Sequence, residues 1–220
     1  MSLPALSPLE ARVLGVLFEK QHTTPDVYPM TVNALVSGCN QKTSRHPVME
    51  VTEADVKGAL EALKTRSLVM ESYGASGRVL RYAQNLPKWL NVGQQTTALL
   101  ATLILRGPQT AAELRANSDR LYQFADLSSV EAYLEEMANR RDGALAVRLA
   151  RQPGAREARW AHLLCGEVHA ESLAPAAVLT AGGKDDVMAL RIELAELREE
   201  VEQLRKTVER LCSELGVGKS

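Results

Sequence analysis

Residues 39–49, CNQKTSRHPVM, bring together side chains that are well suited to bind an anion. Lys42, Arg45 and His46 are typical phosphate contacts, and no acid lies among them. A reactive Cys39 thiolate beside these cations is an alternative, although a small buried thiol at a helix end is favoured. The stretch therefore predicts either a phosphate contact or a connecting loop whose cations pair with nearby acids, and the loop is slightly favoured. Those acids are Glu50, Glu53 and Asp55.

Two further groups of cations fall on predicted β-hairpins. Hairpins of this kind suit phosphate contacts, which position a protein on DNA without reading its sequence. Arginines are also common on exposed hairpins that bind nothing, so both interpretations stay open. The residues are Arg78 and Arg81 on the first hairpin, and Arg148, Arg151, Arg156 and Arg159 on the second. Glu157 is the only acid within the stretch that holds the last four.

Motifs of catalysis are absent from the sequence. There is no Gly-rich phosphate loop, no GxSxG and no HExxH, so we expect neither an enzyme nor a cofactor. The nearest pattern to a metal site is His162, Cys165 and His169. It lacks a fourth ligand and crosses the end of a strand into a loop, so we expect no metal.

The elements that carry these residues repeat along the chain. In the first copy, Ser7 with Glu10 and Thr52 with Asp55 have the spacing of capping boxes at the starts of its first and third helices. Glycines in YGASG then indicate a β-hairpin. The same order returns, with caps predicted at Thr110 and Glu113 and at Ser128 and Glu131.

Three helices followed by a hairpin are typical of the winged helix, a variant of the helix-turn-helix. We therefore predict a mainly α fold with small β-hairpins (α+β), in which two tandem winged-helix domains precede a coiled-coil helix. The joint between the domains is expected in QNLPKWLNVGQQ, with Trp89 packed at their interface. The predicted domains are 1–85 and 86–169, followed by a flexible linker at 170–186 and a coiled coil at 187–216.

The third helix of each copy is unsuited to the usual reading of DNA bases. It carries Glu53 and Asp55 in the first copy, and Glu131, Glu135 and Glu136 in the second. These acids complement the helix dipole but repel phosphates. Phosphate contacts are therefore expected from the loop and the hairpins.

The C-terminal tail has a heptad pattern. Leucine fills every d position, and the a positions mix valine with leucine, which favours a parallel two-stranded coiled coil. The g and e residues of parallel partners attract, whereas an antiparallel arrangement pairs like charges. We therefore predict a parallel homodimer, and the alternative is a lone helix folded back on its own domains. The seam consists of Val187, Leu190, Leu194, Leu197, Val201, Leu204, Val208, Leu211 and Leu215.

Composition sets limits on location and partners. The 26 basic and 27 acidic side chains leave a net charge of −1, so no global positive field attracts DNA. The three cysteines are scattered without a CxxC pair, which indicates a reducing compartment. The N-terminus reads as neither a signal peptide nor a membrane span, so we expect a cytoplasmic protein without a membrane partner.

Several blocks of the chain resemble the YceH family of bacterial proteins. They include LEARVLGVLFEKQHTTPDVYP, NALVSGCNQKTSRHPVM, LILRGPQTAAELR, RLYQFADL, and LARQPGARE with HLLCGE, which together cover about residues 5–168. The resemblance implies the tandem winged-helix fold and no particular activity or ligand. Our first hypothesis is a homodimeric DNA-associated regulatory protein, and the alternative is a module that binds another protein.

Overall fold

A computed structural model describes residues 5–73, 79–152 and 154–168. The chain divides into two units, Met1–Ala174 and Pro175–Ser220, and the described residues all lie in the first. The predicted boundary between residues 85 and 86 therefore falls inside one unit and stays a prediction. None of the described helices is both long enough and apolar enough to cross a membrane.

The first module, residues 5–85, begins with α1 (Pro8–Thr23), a 3-10 turn (Pro25–Val27), α2 (Val32–Cys39) and α3 (Glu53–Thr65). Strands β1 (Val69–Tyr73) and β2 (Leu80–Gln84) then pair in antiparallel register, with Glu71 opposite Tyr82. Both predicted capping boxes, at Ser7 and at Thr52, are present.

The second module, residues 86–168, begins with the short helix α4 (Leu86–Leu90), which lies where the sequence analysis expected only a joint. Helices α5 (Gln94–Arg106), α6 (Ala111–Ser118) and α7 (Leu127–Ala138) follow, and then the antiparallel strands β3 (Ala146–Arg148) and β4 (Trp160–His162).

Helix caps in the second module agree with the sequence at one position and differ at another. The capping box at Thr110 and Glu113 is present. The cap predicted at Ser128 is wrong, because Asp126 begins α7 and accepts a hydrogen bond from the Ser129 amide. The described residues thus form seven α-helices and two small antiparallel sheets, so the mixed class with mainly helical content is confirmed.

Each hairpin is extended by one residue from the segment between the first two long helices of its module. Met30 exchanges backbone hydrogen bonds with Tyr82, and Gln109 does the same with Trp160. The second strand of each hairpin is therefore bonded on both edges. This bridge has no signal in the sequence, because a single residue has no periodicity.

The two modules share one core. Helices α1 and α5 pack closely, and a Cβ added at Gly15 would lie 3.0 Å from Ile104 Cγ2 and 3.1 Å from Leu105 Cδ2. Buried leucines of both helices, including Leu14 and Leu103, belong to the same apolar cluster. At the joint, the half-buried Trp89 packs against this cluster, and the guanidinium of Arg66 lies 5.7 Å from its ring centroid.

Candidate nucleic-acid interface

The long connection between β3 and β4 exposes three arginines. Arg148 lies at the end of β3, and Arg151 and Arg156 lie in the connection itself. No hydrogen bond or ion pair joins any of the three to another described residue. Glu157, also exposed, is the only acid in residues 148–159 of the sequence. These guanidinium groups are therefore accessible to an anion, and a guanidinium can bind a phosphate group through two N–H donors at once.

Arg81 and Arg159 have a different role from the one predicted. Arg81 Nη1 donates a hydrogen bond to the Pro29 carbonyl at 2.8 Å, and Arg159 Nη1 donates to the Pro108 carbonyl at 3.4 Å. Each proline directly precedes the residue that bridges to the hairpin. Both arginines are half-buried, and they brace equivalent segments of the two modules.

Arg45, a predicted phosphate contact, is paired with Glu19 inside the protein. Its side chain is 0% exposed, and its Nη2 lies 2.6 Å from Glu19 Oε2 while its Nη1 donates to Glu19 Oε1 at 3.0 Å. The remaining donors bond the carbonyls of Gly38 and Ser44 and the side-chain oxygen of Gln41. Because all five N–H groups are used, Arg45 has no donor left for a phosphate.

The acid that pairs with Arg45 is not one that the sequence analysis named. Glu50, Glu53 and Asp55 were the expected partners, whereas Glu19 lies on α1, 26 residues before Arg45. Glu53 instead pairs with Lys57 at 2.6 Å, and Asp55 caps its own helix through Thr52. The slightly favoured interpretation, a loop with satisfied cations, holds for Arg45 but through a distant residue.

Lys42 and His46 differ in accessibility. Lys42 is exposed. His46 is half-buried, and its backbone N–H donates to the Leu105 carbonyl at 2.7 Å. Of the predicted loop contacts, Lys42 alone extends freely into solvent. Arg78, the remaining predicted contact, lies outside the described residues.

A second buried arginine, Arg12, was missed by the sequence analysis. It is 1% exposed and donates to the carbonyls of Cys39 and Pro47 at 3.2 and 2.7 Å. Burial lowers the pKa of Arg12, and the nearby Arg45 adds to that effect. Arg12 directly precedes the apolar run VLGVLF, and only its alignment with the buried residues of α1 signals the interior.

Cys39 is not a reactive thiol. It is buried at the end of α2, and burial raises its pKa to about 11 in spite of the opposing influence of Arg12 and Arg45. The favoured interpretation, a small buried thiol at a helix end, is confirmed. Among the described residues no group of His, Cys, Asp and Glu could hold a metal, and His169 lies outside them.

Both third helices expose acids, as the sequence predicts. Glu53, Asp55 and Glu61 are exposed on α3, and Glu131 and Glu135 are exposed on α7. Phosphates are repelled from these surfaces.

Comparison with known proteins gives the chain a family. A model described as "Protein of unknown function, DUF480" matches residues 6–155, and the chain belongs to that family. It is 55% identical over 221 residues to a UPF0502 protein of Burkholderia lata, and 54% identical over 220 residues to a UPF0502 protein of Paraburkholderia phymatum. Each alignment covers 98% of this chain and 92% of the relative.

These alignments extend beyond the blocks on which the sequence resemblance rested. Those blocks end at residue 168, whereas an alignment of 98% of the chain includes most of the C-terminal tail. The predicted linker and the coiled-coil residues lie outside the residues that the structure describes.

Proposed function

We propose that the chain is a non-enzymatic tandem winged-helix protein that associates with DNA through the second hairpin and acts as a homodimer in the cytoplasm. The observation that carries the proposal is the exposure of Arg148, Arg151 and Arg156 with only Glu157 beside them. Contacts of this kind bind phosphates regardless of base sequence. The proposal includes membership of the YceH family, which the chain resembles.

The element order of each module supports the winged-helix assignment. Three long helices precede a hairpin in both modules, and the residue that bridges to the hairpin comes from between the first two of them. The matching roles of Arg81 and Arg159 add a side-chain correspondence between the modules. In a winged helix the hairpin is the wing, a usual contact surface for DNA.

Dimerisation would double a weak electrostatic footprint, because the second chain binds at a raised effective concentration. We expect the full chain to sediment as a dimer through the parallel coiled coil of residues 187–216. Deleting residues 186–220 should give a monomer. An unchanged mass after that deletion would remove the coiled coil from the proposal.

A salt titration with a labelled DNA duplex tests the proposed contact. Binding should weaken as salt rises, and the triple variant Arg148→Ala, Arg151→Ala, Arg156→Ala should reduce the slope of log K against log salt by about 0.9 per lost contact. The matched control replaces three exposed cations outside the hairpin, Lys88, Arg120 and Arg141, with alanine. Equal losses in both variants would contradict a specific role for the hairpin.

Binding to another protein is the second candidate, and it has its own observations. The acids exposed on α3 and α7 disfavour DNA, and the first hairpin exposes Met70 and Tyr73 with 52% and 71% of their surface accessible. Exposed aromatic and apolar side chains are common at protein interfaces. Failure of the full chain to bind duplex DNA even at low salt would leave this candidate in place of the first.

A further inference from the structure

The loop between α2 and α3 is longer than its counterpart in the second module. Residues 40–52 join α2 to α3, whereas residues 119–126 make the same connection between α6 and α7. The loop therefore has thirteen residues in the first module and eight in the second. The five additional residues need a reason other than joining two helices.

Part of the longer loop is fixed to α1 of its own module. Arg45 inserts between the loop and α1 and makes two hydrogen bonds to Glu19. Arg12 of α1 donates to the carbonyl of Cys39, the last residue before the loop, and to the carbonyl of Pro47 within the loop. Because Cys39 is buried and Glu19 is half-buried, loss of Arg12 or Arg45 would leave a polar group inside the protein without this partner.

From this anchored position the loop contacts the second module. Ser44 Oγ accepts a hydrogen bond from Arg106 Nη2 at 2.8 Å. The His46 amide donates to the carbonyl of Leu105 at 2.7 Å. Both partners lie in the last turn of α5, where helix carbonyls have no partner within the helix.

Gly107, which ends α5, completes the contact. Its φ is +76°, a conformation that favours glycine, and a Cβ at this position would lie 2.8 Å from Cδ2 of the His46 ring. The end of α5 therefore accommodates the loop in two ways. Gly107 adopts the backbone conformation required there, and its lack of a side chain leaves space for the His46 ring.

We propose that residues 40–48 form a clamp that holds the two modules in one fixed orientation, with the ion pair of Arg45 and Glu19 as its anchor. Glu19 and Arg45 set the position of the loop, and Ser44 and His46 transmit that position to α5. The inference does not depend on the proposed DNA contact, since it concerns only the orientation of the modules.

A distance measurement between spin labels on the two modules tests the clamp. Cysteines introduced at Ala54 on α3 and Ala132 on α7 are both at exposed sites. Cys165 and Cys212 are replaced by serine in the full chain, the buried Cys39 is kept, and labelled chain is diluted with unlabelled chain so that only distances within one chain are observed.

We expect a single narrow distance distribution for the unmodified clamp and a broader one for Glu19→Gln. The matched control is Glu53→Gln, which removes one carboxylate from the exposed pair with Lys57 and should leave the distribution narrow. If Glu19→Gln fails to fold, the double variant Ser44→Ala, Arg106→Gln replaces it. This variant removes the hydrogen bond between the modules at two half-buried residues, and the distance distribution is measured in the same way.

Hydrogen exchange of the His46 amide provides a second readout. Release of the loop should speed this exchange about tenfold or more in Glu19→Gln, while exchange in the core of α1 changes less. A narrow, unshifted distance distribution in a folded Glu19→Gln or Ser44→Ala, Arg106→Gln variant would overturn the proposal. The loop would then be a local structure without influence on the orientation of the modules.

Discussion

Two cationic segments that look alike in the sequence have opposite environments in the structure. Residues 40–48 place Arg45 in the interior, where Glu19 and three other oxygen acceptors use all its donors. The second hairpin leaves Arg148, Arg151 and Arg156 in solvent. The difference shows that a guanidinium becomes structural when the fold brings a carboxylate to it. A cationic segment in a sequence therefore does not by itself indicate a ligand.

The largest effect that separates the two segments is expected at Arg45. We predict that Arg45→Ala lowers the free energy of unfolding by about 3 to 5 kcal/mol, because it removes the nearer cation from the half-buried Glu19, whose other ionic contact, Lys20, is 3.7 Å away. Denaturant unfolding measures the loss. Lys42→Ala, three residues away and exposed, is the control and should change stability by less than about 0.5 kcal/mol. Similar small effects for both variants would mean that Arg45 is not a structural residue.

A fall in pH is expected to destabilise the protein through His162, the last residue of β4 in the second hairpin. Burial lowers the pKa of His162 from 6.5 to about 4, and its Nδ1 has no hydrogen-bond partner among the residues that the structure describes. Because the unfolded chain takes up the proton more readily, this contribution to stability is present above pH 6.5 and is lost as the pH falls toward 4. The loss is roughly 3 kcal/mol.

The variant His162→Phe isolates this contribution. It keeps a ring of similar size without a titrating group, so its stability should fall less steeply than that of the original chain between pH 6.5 and 4. Denaturant unfolding at a series of pH values provides the comparison. Parallel pH profiles for the two proteins would show that His162 is not the responsible group.

Two glycines with positive φ differ in the space around them, one beside the loop and one in the hairpin connection. Gly154 in the hairpin connection has φ +83° and open space around it, so Gly154→Ala should cost about 1 kcal/mol from backbone strain alone. Gly107→Ala should cost about 3 kcal/mol, because the new methyl group also meets the His46 ring. Equal shifts in the unfolding midpoint of the two variants would show that the His46 ring does not limit the space at Gly107.

The smallest expected effect is on the exposed arginines. Replacement of Arg148, Arg151 and Arg156 with alanine, one at a time, should alter stability by no more than about 0.5 kcal/mol each, since none is buried. Thermal unfolding of the three variants checks this. A loss above 1 kcal/mol at any position would assign that arginine a structural role like that of Arg45.

Much of the fold follows from local patterns in the sequence. Helix caps such as Ser7 with Glu10 involve residues three positions apart, and the apolar stripes of α3 and α7 recur at helical spacing, so one short window contains the whole signal. The Asp126 cap of α7 was misplaced because Ser128 nearby offered an equally good pattern.

The candidate site depends on contacts that no short window contains. The pairing of Arg45 with Glu19 spans 26 residues, and the contacts of the loop with Leu105 and Arg106 span about twice that distance or more. These contacts require α1 and α5 to be packed together. The role of Arg45 therefore could not be inferred from its neighbours in the chain, whereas the exposure of a long polar hairpin connection could.

A double-mutant cycle on Glu19 and Arg45 tests most directly whether the loop cations are structural. The free energies of unfolding of Glu19→Gln, Arg45→Gln and the double variant are measured by denaturant titration against the original chain. We predict a coupling energy of about 2 kcal/mol or more, as expected for a buried, charge-assisted pair. A coupling energy below about 0.5 kcal/mol would place the pair among ordinary surface contacts and contradict the account.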